Sequence, residues 1–380
     1  MIKFENKTIC PTSLFQYIKE TCHSLHGHQI KGIADFVFSI IQQQSGVQAE
    51  LAKIFGNQEA ACKRLSRLLH NRRLSPKQLS ELVFEQVLRQ LPKHGKIRLA
   101  FDWTIENEQY LLVISLVQQG RAIPIFWRGY EERVLKKRMK IYERMMLKRV
   151  LEKLQASGVS ADRIILTADR GFACVETFRL LKKREIAFVI RVKYSTLIEL
   201  EGEWRKLSRV EFQAGKRRKN LGRVKYCKRS PEELEMSVSR LSEVSKPHEN
   251  WYLVSNKKWS AKKMAQEYAK RFGCEEGFRD VKWSLGFSES RIKDIKAWSR
   301  MFGLMSLAMM VLASLGSKLL LGEEGKAKKM LRKVASRRKG KWEVSLISAT
   351  IALLKQEKNL YEHLNPYIKF NLERSLQNVS

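Results

Sequence analysis

A polar stripe runs along a predicted helix within residues 268–287, YAKRFGCEEGFRDVKWSLGF. At 100° per residue, an arc of about 60° holds four polar side chains. These are Tyr268, Arg271, Glu275 and Lys282. The adjoining sector is apolar and holds Cys274, Phe278, Val281 and Leu285. Glu276 lies off the arc, where we expect it to pair with neighbouring bases, so we predict that Glu275 is the acid with a chemical role.

Two aspartates end strongly apolar segments: Asp102 in IRLAFDWT and Asp169 in RIILTADRGF. A carboxylate at such a place is costly unless it is paired, capped or bound to a cation. Each alone is equally consistent with a structural acid held by backbone donors or an arginine. Three carboxylates gathered in a basic protein can bind hard divalent cations, which prefer oxygen ligands. Two such ions can activate the attacking oxygen and stabilise the leaving oxygen of a phosphodiester.

The elements around these acids predict an α/β fold. From Lys96 onwards, IRLAFDW, YLLVISLV and AIPIFW are typical of three consecutive antiparallel strands. A basic helical stretch at 134–155, the strand RIILTAD, a helix at 175–183 and the strand IAFVIRV follow. This order predicts a mixed sheet with helices on its faces. The core sheet then resumes at 252–256, and the polar helix begins near Ser260.

The flanking regions are basic. Helical patterns at 47–55 and 58–69, and a third beginning at Ser75-Pro76, are compatible with either a helix-turn-helix unit or a helical bundle with a solvated basic face. An irregular basic segment contains the KRRK tract, which consists of Lys216, Arg217, Arg218 and Lys219. This tract is either a DNA-contact surface, which we favour, or a solvated edge. The predicted division is a helical DNA-binding domain at 1–92, a catalytic core at 93–195 and 251–318, a basic β-rich insertion at 196–250, and a basic helical region at 319–380.

The charge balance restricts the partner. The chain has 73 Lys and Arg against 39 Asp and Glu, a net charge of +34, which favours nucleic acid over an anionic membrane surface. Six separated cysteines without a CxxC pair argue against a disulfide framework and fit a reducing cytosol. A metal site at Cys22, His23, His26 and His28 is disfavoured because the spacing matches no common zinc pattern. Residues 301–317 are uncharged, and we favour a buried core helix over a membrane span.

The motif residues resemble those of the DDE transposases of bacterial insertion sequences, in the subgroup with the motif Tyr-x2-Arg-x3-Glu-x6-Lys (YREK). Tyr268, Arg271, Glu275 and Lys282 match every interval of that motif. TADRGF around Asp169, and AFDWT followed by GRAIPIFWRGYEE, are also similar. The resemblance covers about residues 96–317. One departure is Gly273-Cys274, which replaces the bulkier pair usual before the glutamate.

The resemblance implies an RNase H-like core with a β-stranded insertion and an enzyme that cuts and joins DNA. It implies Asp102, Asp169 and Glu275 as the catalytic ligands of two Mg²⁺ ions, with Mn²⁺ as a substitute. Tyr268, Arg271 and Lys282 are then expected to bind DNA near the cut. The resemblance further implies that water would first attack at the element's end and release a 3′-hydroxyl, which would then attack the other strand or the target. Some members hold a flipped base against a tryptophan, for which Trp251, Trp259 and Trp283 are candidates.

The implied partners are double-stranded DNA with terminal inverted repeats, a target DNA and a second copy of the chain in a homodimer, with no membrane. The expected location is the bacterial cytoplasm, in association with the nucleoid. Two other functions stay open from the residues: a non-catalytic, domesticated DNA-binding protein, and a structure-selective nuclease on the same core. The repeat sequence, the target preference and the excision route are not specified by these residues.

Overall fold

The computed structural model describes residues 11–351, except 22–23, 90, 92, 107, 119–120, 213–214, 241–245, 322–335, 339–340, 344–346 and 349. The described residues begin with five helices: α1 (Pro11–Thr21), α2 (Gly27–Gln43), α3 (Gln48–Ala52), α4 (Gln58–Leu69) and α5 (Pro76–Leu88). The predicted start of α5 is confirmed, because the Ser75 hydroxyl accepts from the Gln78 amide at 3.2 Å and the Gln78 side chain accepts from the Ser75 amide at 2.7 Å. This reciprocal pair satisfies two helix-end donors.

One large mixed sheet follows, flanked by helices. Its strands are β1 (Ile97–Glu106), β2 (Gln109–Gln118), β3 (Arg121–Glu131), β4 (Ile164–Ala168), β5 (Ala187–Val192), β6 (Leu197–Leu200), β7 (Glu203–Lys206), β8 (Arg218–Tyr226), β9 (Glu232–Ser239) and β10 (Trp251–Ser255). The helices between them are α6 (Glu132–Leu135), α7 (Met139–Ala156) and α8 (Val175–Lys183). The predicted α/β order is therefore confirmed.

The strand order is β3-β2-β1-β4-β5-β10-β9-β8-β6-β7. β1 pairs antiparallel with β2 and parallel with β4, and β4 pairs parallel with β5. The β-rich segment, β6 to β9, joins through β9 and β10, so it extends the core sheet. This arrangement is consistent with an RNase H-like transposase fold carrying a β-rich insertion.

Three helical segments and a long helix follow the sheet: α9 (Ala261–Ala269), α10 (Phe272–Arg279), a π-helical segment (Asp280–Ser284) and α11 (Ile295–Leu321). A helix begins near Ser260 as predicted, and Ser260 caps α9 by accepting from the Lys263 amide at 3.2 Å. The helix predicted to be continuous is thus divided before Phe272 and after Arg279.

The apolar helix α11 is a core helix. It is the one described helix long and apolar enough to cross a membrane, and its apolar window, Ile295–Ser314, lies entirely inside the protein. It packs against α2, α5 and β3. Arg300 on α11 donates to the carbonyls of Leu69, Asn71 and Leu74, at 2.6, 2.9 and 2.5 Å. This buried arginine fastens the segment at the end of α4 to α11.

The predicted helical region at 319–380 falls largely outside the described residues. Within it the structure describes the end of α11 and two short antiparallel strands, β11 (Ser336–Arg338) and β12 (Lys341–Glu343). The predicted domain boundaries remain predictions. The Cys22–His23 part of the disfavoured metal site also lies outside the described residues, and the four described cysteines are free.

Candidate active site

The two aspartates stand next to each other in the sheet. β1 and β4 pair in parallel as far as Phe101 opposite Ala168, and the next residue in each segment is Asp102 or Asp169. Residues at matching positions of a parallel pair point to the same face. The sheet therefore brings together two acids that are 67 positions apart in the sequence.

Arg271 joins Asp102 to Glu275. Its Nη1 donates to Asp102 Oδ2 at 2.8 Å, and its Nη2 donates to Glu275 Oε1 at 2.5 Å. The arginine side chain is only 7% exposed, whereas that of Glu275 is 48% exposed. One guanidinium thus holds an acid from the sheet and an acid from α10, at the boundary between core and solvent.

Tyr268 connects the third acid. Its buried hydroxyl donates to Asp169 Oδ1 at 3.2 Å, and burial raises the pKa of the tyrosine to about 12. The Arg271 guanidinium carbon lies 5.6 Å from the centre of the Tyr268 ring. Three of the four predicted stripe residues and both aspartates therefore meet at one place.

Asp102 has an unusual pKa. Burial, with smaller contributions from the charges of Asp169 and Glu275, raises it to about 6. The Arg271 guanidinium opposes this rise, as does the Trp103 amide, which donates to Asp102 Oδ1 at 2.9 Å. The three carboxylates therefore share one electrostatic environment, and the site favours a positive charge.

Two glycines let α10 lie directly on the sheet. A Cβ added at Gly277 would lie 2.1 Å from the Ala122 carbonyl oxygen, and one at Gly273 would lie 3.1 Å from the Arg121 carbonyl carbon. The glycine that departs from the usual motif thus has a packing reason: α10 approaches β3 through its backbone. This close approach sets the position of Glu275.

Glu276 is paired with bases, as predicted. Its carboxylate lies 3.3 Å from Arg121 and 2.8 Å from Arg279. Arg121 Nε also donates to Asp280 at 2.9 Å. These ion pairs fix α10 to β3. Of the two adjacent glutamates, only Glu275 contacts Arg271. The predicted apolar sector, Cys274, Phe278, Val281 and Leu285, is buried.

Lys282 lies away from the acids. Its ammonium contacts the Ile105 carbonyl and the Glu106 carboxylate, each at 2.9 Å. Glu106 is four residues beyond Asp102, about 13 Å along a strand. The KRRK tract, Lys216, Arg217, Arg218 and Lys219, is exposed at the start of β8, five strand spacings from β1, or about 24 Å. The DNA-binding roles of Lys282 and of this tract remain predictions.

The three candidate tryptophans differ in position. The ring of Trp251 lies 5.1 Å from that of Tyr268 and 5.8 Å from that of Phe272, which is 43% exposed. Trp259 packs against the same small cluster, which includes Tyr268. Trp283 is 70% exposed in the π-helical segment.

Asp102, Asp169 and Glu275 are chemically suited to hold a hard divalent cation, because all three offer carboxylate oxygens. Two of them, Asp102 and Glu275, already share the positive charge of Arg271. In the part of the chain that the structure describes, no three His, Cys, Asp or Glu side chains are close enough to form a metal cluster. The guanidinium lies between Asp102 and Glu275, where an ion shared by these two acids would sit.

Sequence reasoning missed Glu267. Its side chain is fully buried and contacts Arg98 on β1 at 2.8 Å, Lys263 at 2.9 Å and Lys270 at 3.2 Å. A signal was present, because Glu267 falls at about 260° on the helical wheel, inside the apolar sector. A charge in that sector indicates a buried ion pair.

The large mixed sheet flanked by helices is consistent with an α/β fold of the RNase H-like transposase type. Residues 134–311 match the family model of the transposase DDE domain, just under half of the chain, and this match supports a DDE transposase. The matched segment includes Asp169 and Glu275, whereas Asp102 precedes it. No curated protein matches the chain significantly.

Proposed function

We propose that this protein is a DDE transposase of the YREK subgroup that binds the ends of an insertion sequence and catalyses metal-dependent cleavage and strand transfer by a cut-and-paste route. The observation that carries the proposal is the double ion pair of Arg271 with Asp102 and Glu275. It supports the convergence of acids that come from distant parts of the sequence.

In this proposal Asp102, Asp169 and Glu275 hold two Mg²⁺ ions, with Mn²⁺ as a substitute. When bound, these ions supply an activated attacking oxygen and a stabilised leaving oxygen. The protein's own contribution is to fix the acids. Tyr268 orients Asp169 through its hydroxyl, and the Trp103 amide orients Asp102.

Arg271, Tyr268 and Lys282, with the KRRK tract, are the proposed DNA contacts. Arg271 Nε is buried without a partner among the described residues, so the guanidinium must move before this donor can reach a phosphate oxygen. Trp251 is the best placed of the three tryptophans to hold a flipped base, because it lies beside Tyr268 and the exposed Phe272. The proposed partners are terminal inverted repeats, target DNA and a second copy of the chain, in a bacterial cytoplasm near the nucleoid.

The test supplies a duplex carrying the element's end, a target duplex and Mg²⁺. Joining of the two DNAs supports transposition, and cleavage without joining supports a structure-selective nuclease. Binding without either reaction supports a domesticated DNA-binding protein. Omitting the divalent ion should abolish both reactions, and an undiminished rate in chelator would contradict the proposed metal dependence.

A matched pair of variants tests the site. Glu275→Gln should reduce cleavage by at least about 100-fold with DNA binding retained, because a metal ligand is removed. Glu276→Gln changes the adjacent carboxylate, which pairs with Arg121 and Arg279, and should retain cleavage. Equal cleavage by the two variants would remove Glu275 from the active site. Asp102→Ala and Asp169→Ala should behave as Glu275→Gln does.

A further inference from the structure

A second ion pair lies next to the two aspartates. Glu143 on α7 has a side chain only 2% exposed, and Lys140 lies one turn before it, with Lys140 Nζ 2.8 Å from Glu143 Oε2. Neither residue belongs to the YREK motif or to the acids of the site.

The glutamate of this pair holds the segment that carries Asp102. The indole Nε1 of Trp103 donates to Glu143 Oε1 at 2.9 Å. The backbone amide of the same tryptophan donates to Asp102 Oδ1 at 2.9 Å. Trp103 is therefore fixed at both ends, by Glu143 through its side chain and by Asp102 through its backbone.

The lysine of the pair holds the segment that carries Asp169. Its ammonium donates to the Gly171 carbonyl and lies 5.5 Å from the centre of the Phe172 ring. The amide of Phe172 in turn donates to the Asp169 carbonyl at 2.9 Å. The tight turn that follows Asp169 is thus tied to α7.

The position of the Glu143–Lys140 ion pair matters because the strand pairing of β1 with β4 ends at Phe101 and Ala168. Each of these residues comes one position before an aspartate. Beyond that point the ladder no longer fixes the two segments relative to each other. The Glu143–Lys140 pair spans this gap from one rigid helix. Since α7 is anchored by its own buried leucines and valine, the pair is not needed to hold the helix in place.

We propose that Glu143 and Lys140 are positioning residues that fix the spacing of Asp102 and Asp169. The proposal rests on the proposed function for its catalytic consequence, but its structural part is independent of it. Outer partners of metal ligands commonly change metal affinity or activity by 10- to 100-fold when they are replaced, and a loss of about that size is expected here.

The test compares Lys140→Met with Lys148→Met. Both lysines are on α7, and Lys148 is exposed, 4.0 Å from Glu152. Hydrogen exchange of the Trp103 and Phe172 amides should become at least about tenfold faster in Lys140→Met, with the β-ladder amides before the aspartates unchanged. Lys148→Met should leave all of these amides as in the wild-type protein, and Lys140→Arg should restore protection.

Cleavage kinetics add the catalytic readout: kcat should fall about 10- to 100-fold in Lys140→Met, with KM for the end-containing DNA unchanged. The positioning role would be overturned if hydrogen exchange at both amides were unchanged in Lys140→Met. It would also be overturned if the wild-type enzyme were active and Lys140→Met had the same kcat. If the wild-type protein cleaved no DNA but Lys140→Met still lost protection from hydrogen exchange at these amides, the proposed function would be refuted. The linkage of the two segments would then remain supported.

Discussion

The strongest prediction on stability concerns Glu267, the buried acid that ties α9 to β1. Burial alone would raise the pKa of this carboxyl, but hydrogen bonds from Arg98 and Lys263 outweigh that effect and lower it from 4.5 to about 2. Glu267→Gln retains the shape of the side chain and removes its charge. The three cations around it would then lose their common partner.

The pKa gives the magnitude. At about 1.36 kcal/mol per pH unit, lowering the pKa from 4.5 to about 2 corresponds to about 3 kcal/mol of unfolding free energy at pH 7. Removing one partner of a buried ion pair typically costs about 3–5 kcal/mol, which agrees. Because the folded-state pKa lies below the unfolded value, the contribution is complete above about pH 4.5 and is lost towards pH 2. At pH 3.5 about 2 kcal/mol should remain.

The assay is urea unfolding of the wild-type protein and of Glu267→Gln at pH 7 and pH 3.5. The difference in unfolding free energy should fall from about 3 to about 2 kcal/mol between the two conditions. Glu59→Gln is the control, because Glu59 pairs with Lys63 at an exposed position and should cost less than about 0.5 kcal/mol. A cost for Glu267→Gln as small as the control's, or a cost that does not change with pH, would refute the reasoning.

Three further predictions follow from the site and its surroundings. Gly277→Ala should lower the unfolding free energy measured in urea by at least about 1–3 kcal/mol, because its Cβ meets the Ala122 carbonyl; an unaffected protein would contradict the close approach of α10 to β3. Arg271→Met should raise the pKa of Asp102 above about 6, measured by carbon NMR of labelled aspartate, because the guanidinium now lowers it; a fall in that pKa would contradict the assignment. Replacing the KRRK tract, residues 216–219, with alanine should reduce the salt dependence of DNA binding by about 0.9 in slope for each phosphate that the tract neutralises, and an unchanged slope would indicate a solvated edge.

The sequence predicted the acids through two separate signals. Asp102 and Asp169 were visible because each interrupts an apolar run at a strand end, and Glu275 was visible because of its spacing from Arg271. The i,i+4 relation of Arg271 and Glu275 is local, so helical geometry alone predicts that they face the same way. The structure contains this contact, with a distance of 2.5 Å.

The position of Lys282 depends on a distance that a helical wheel does not contain. A wheel gives the direction of a side chain around the helix axis but not its height along that axis, and Lys282 lies seven residues beyond Glu275, about 10 Å along a helix. Its ammonium meets Glu106, which lies on the same face of β1 as Asp102 but four residues further along the strand. The chain also leaves the regular α-helix before Phe272 and enters a π-helical segment at Asp280, so the predicted helix is not uniform over this length.

The contacts that hold the site were harder to predict because they join distant segments. Lys140 and Glu143 belong to a helix rich in charges, and both their i,i+3 spacing and the i,i+4 spacing of the exposed Lys148 and Glu152 are ordinary for ion pairs on a helix surface. Only the packing of α7 against the ends of β1 and β4 separates the two pairs. Long-range positioning of this kind depends on the assembled sheet.

Arg271 links the metal and the DNA in the proposed function. Its two terminal nitrogens are both occupied by carboxylates, on Asp102 and Glu275. An ion that takes the same oxygens must weaken those bonds, and each donor that is released becomes available to a phosphate. A phosphate that draws the guanidinium away leaves Asp102 and Glu275 as better metal ligands. By linkage, DNA binding then strengthens metal binding by the same free energy by which metal binding strengthens DNA binding. Metal binding and DNA binding at this site should therefore be mutually reinforcing, because both depend on where one buried arginine places its charge.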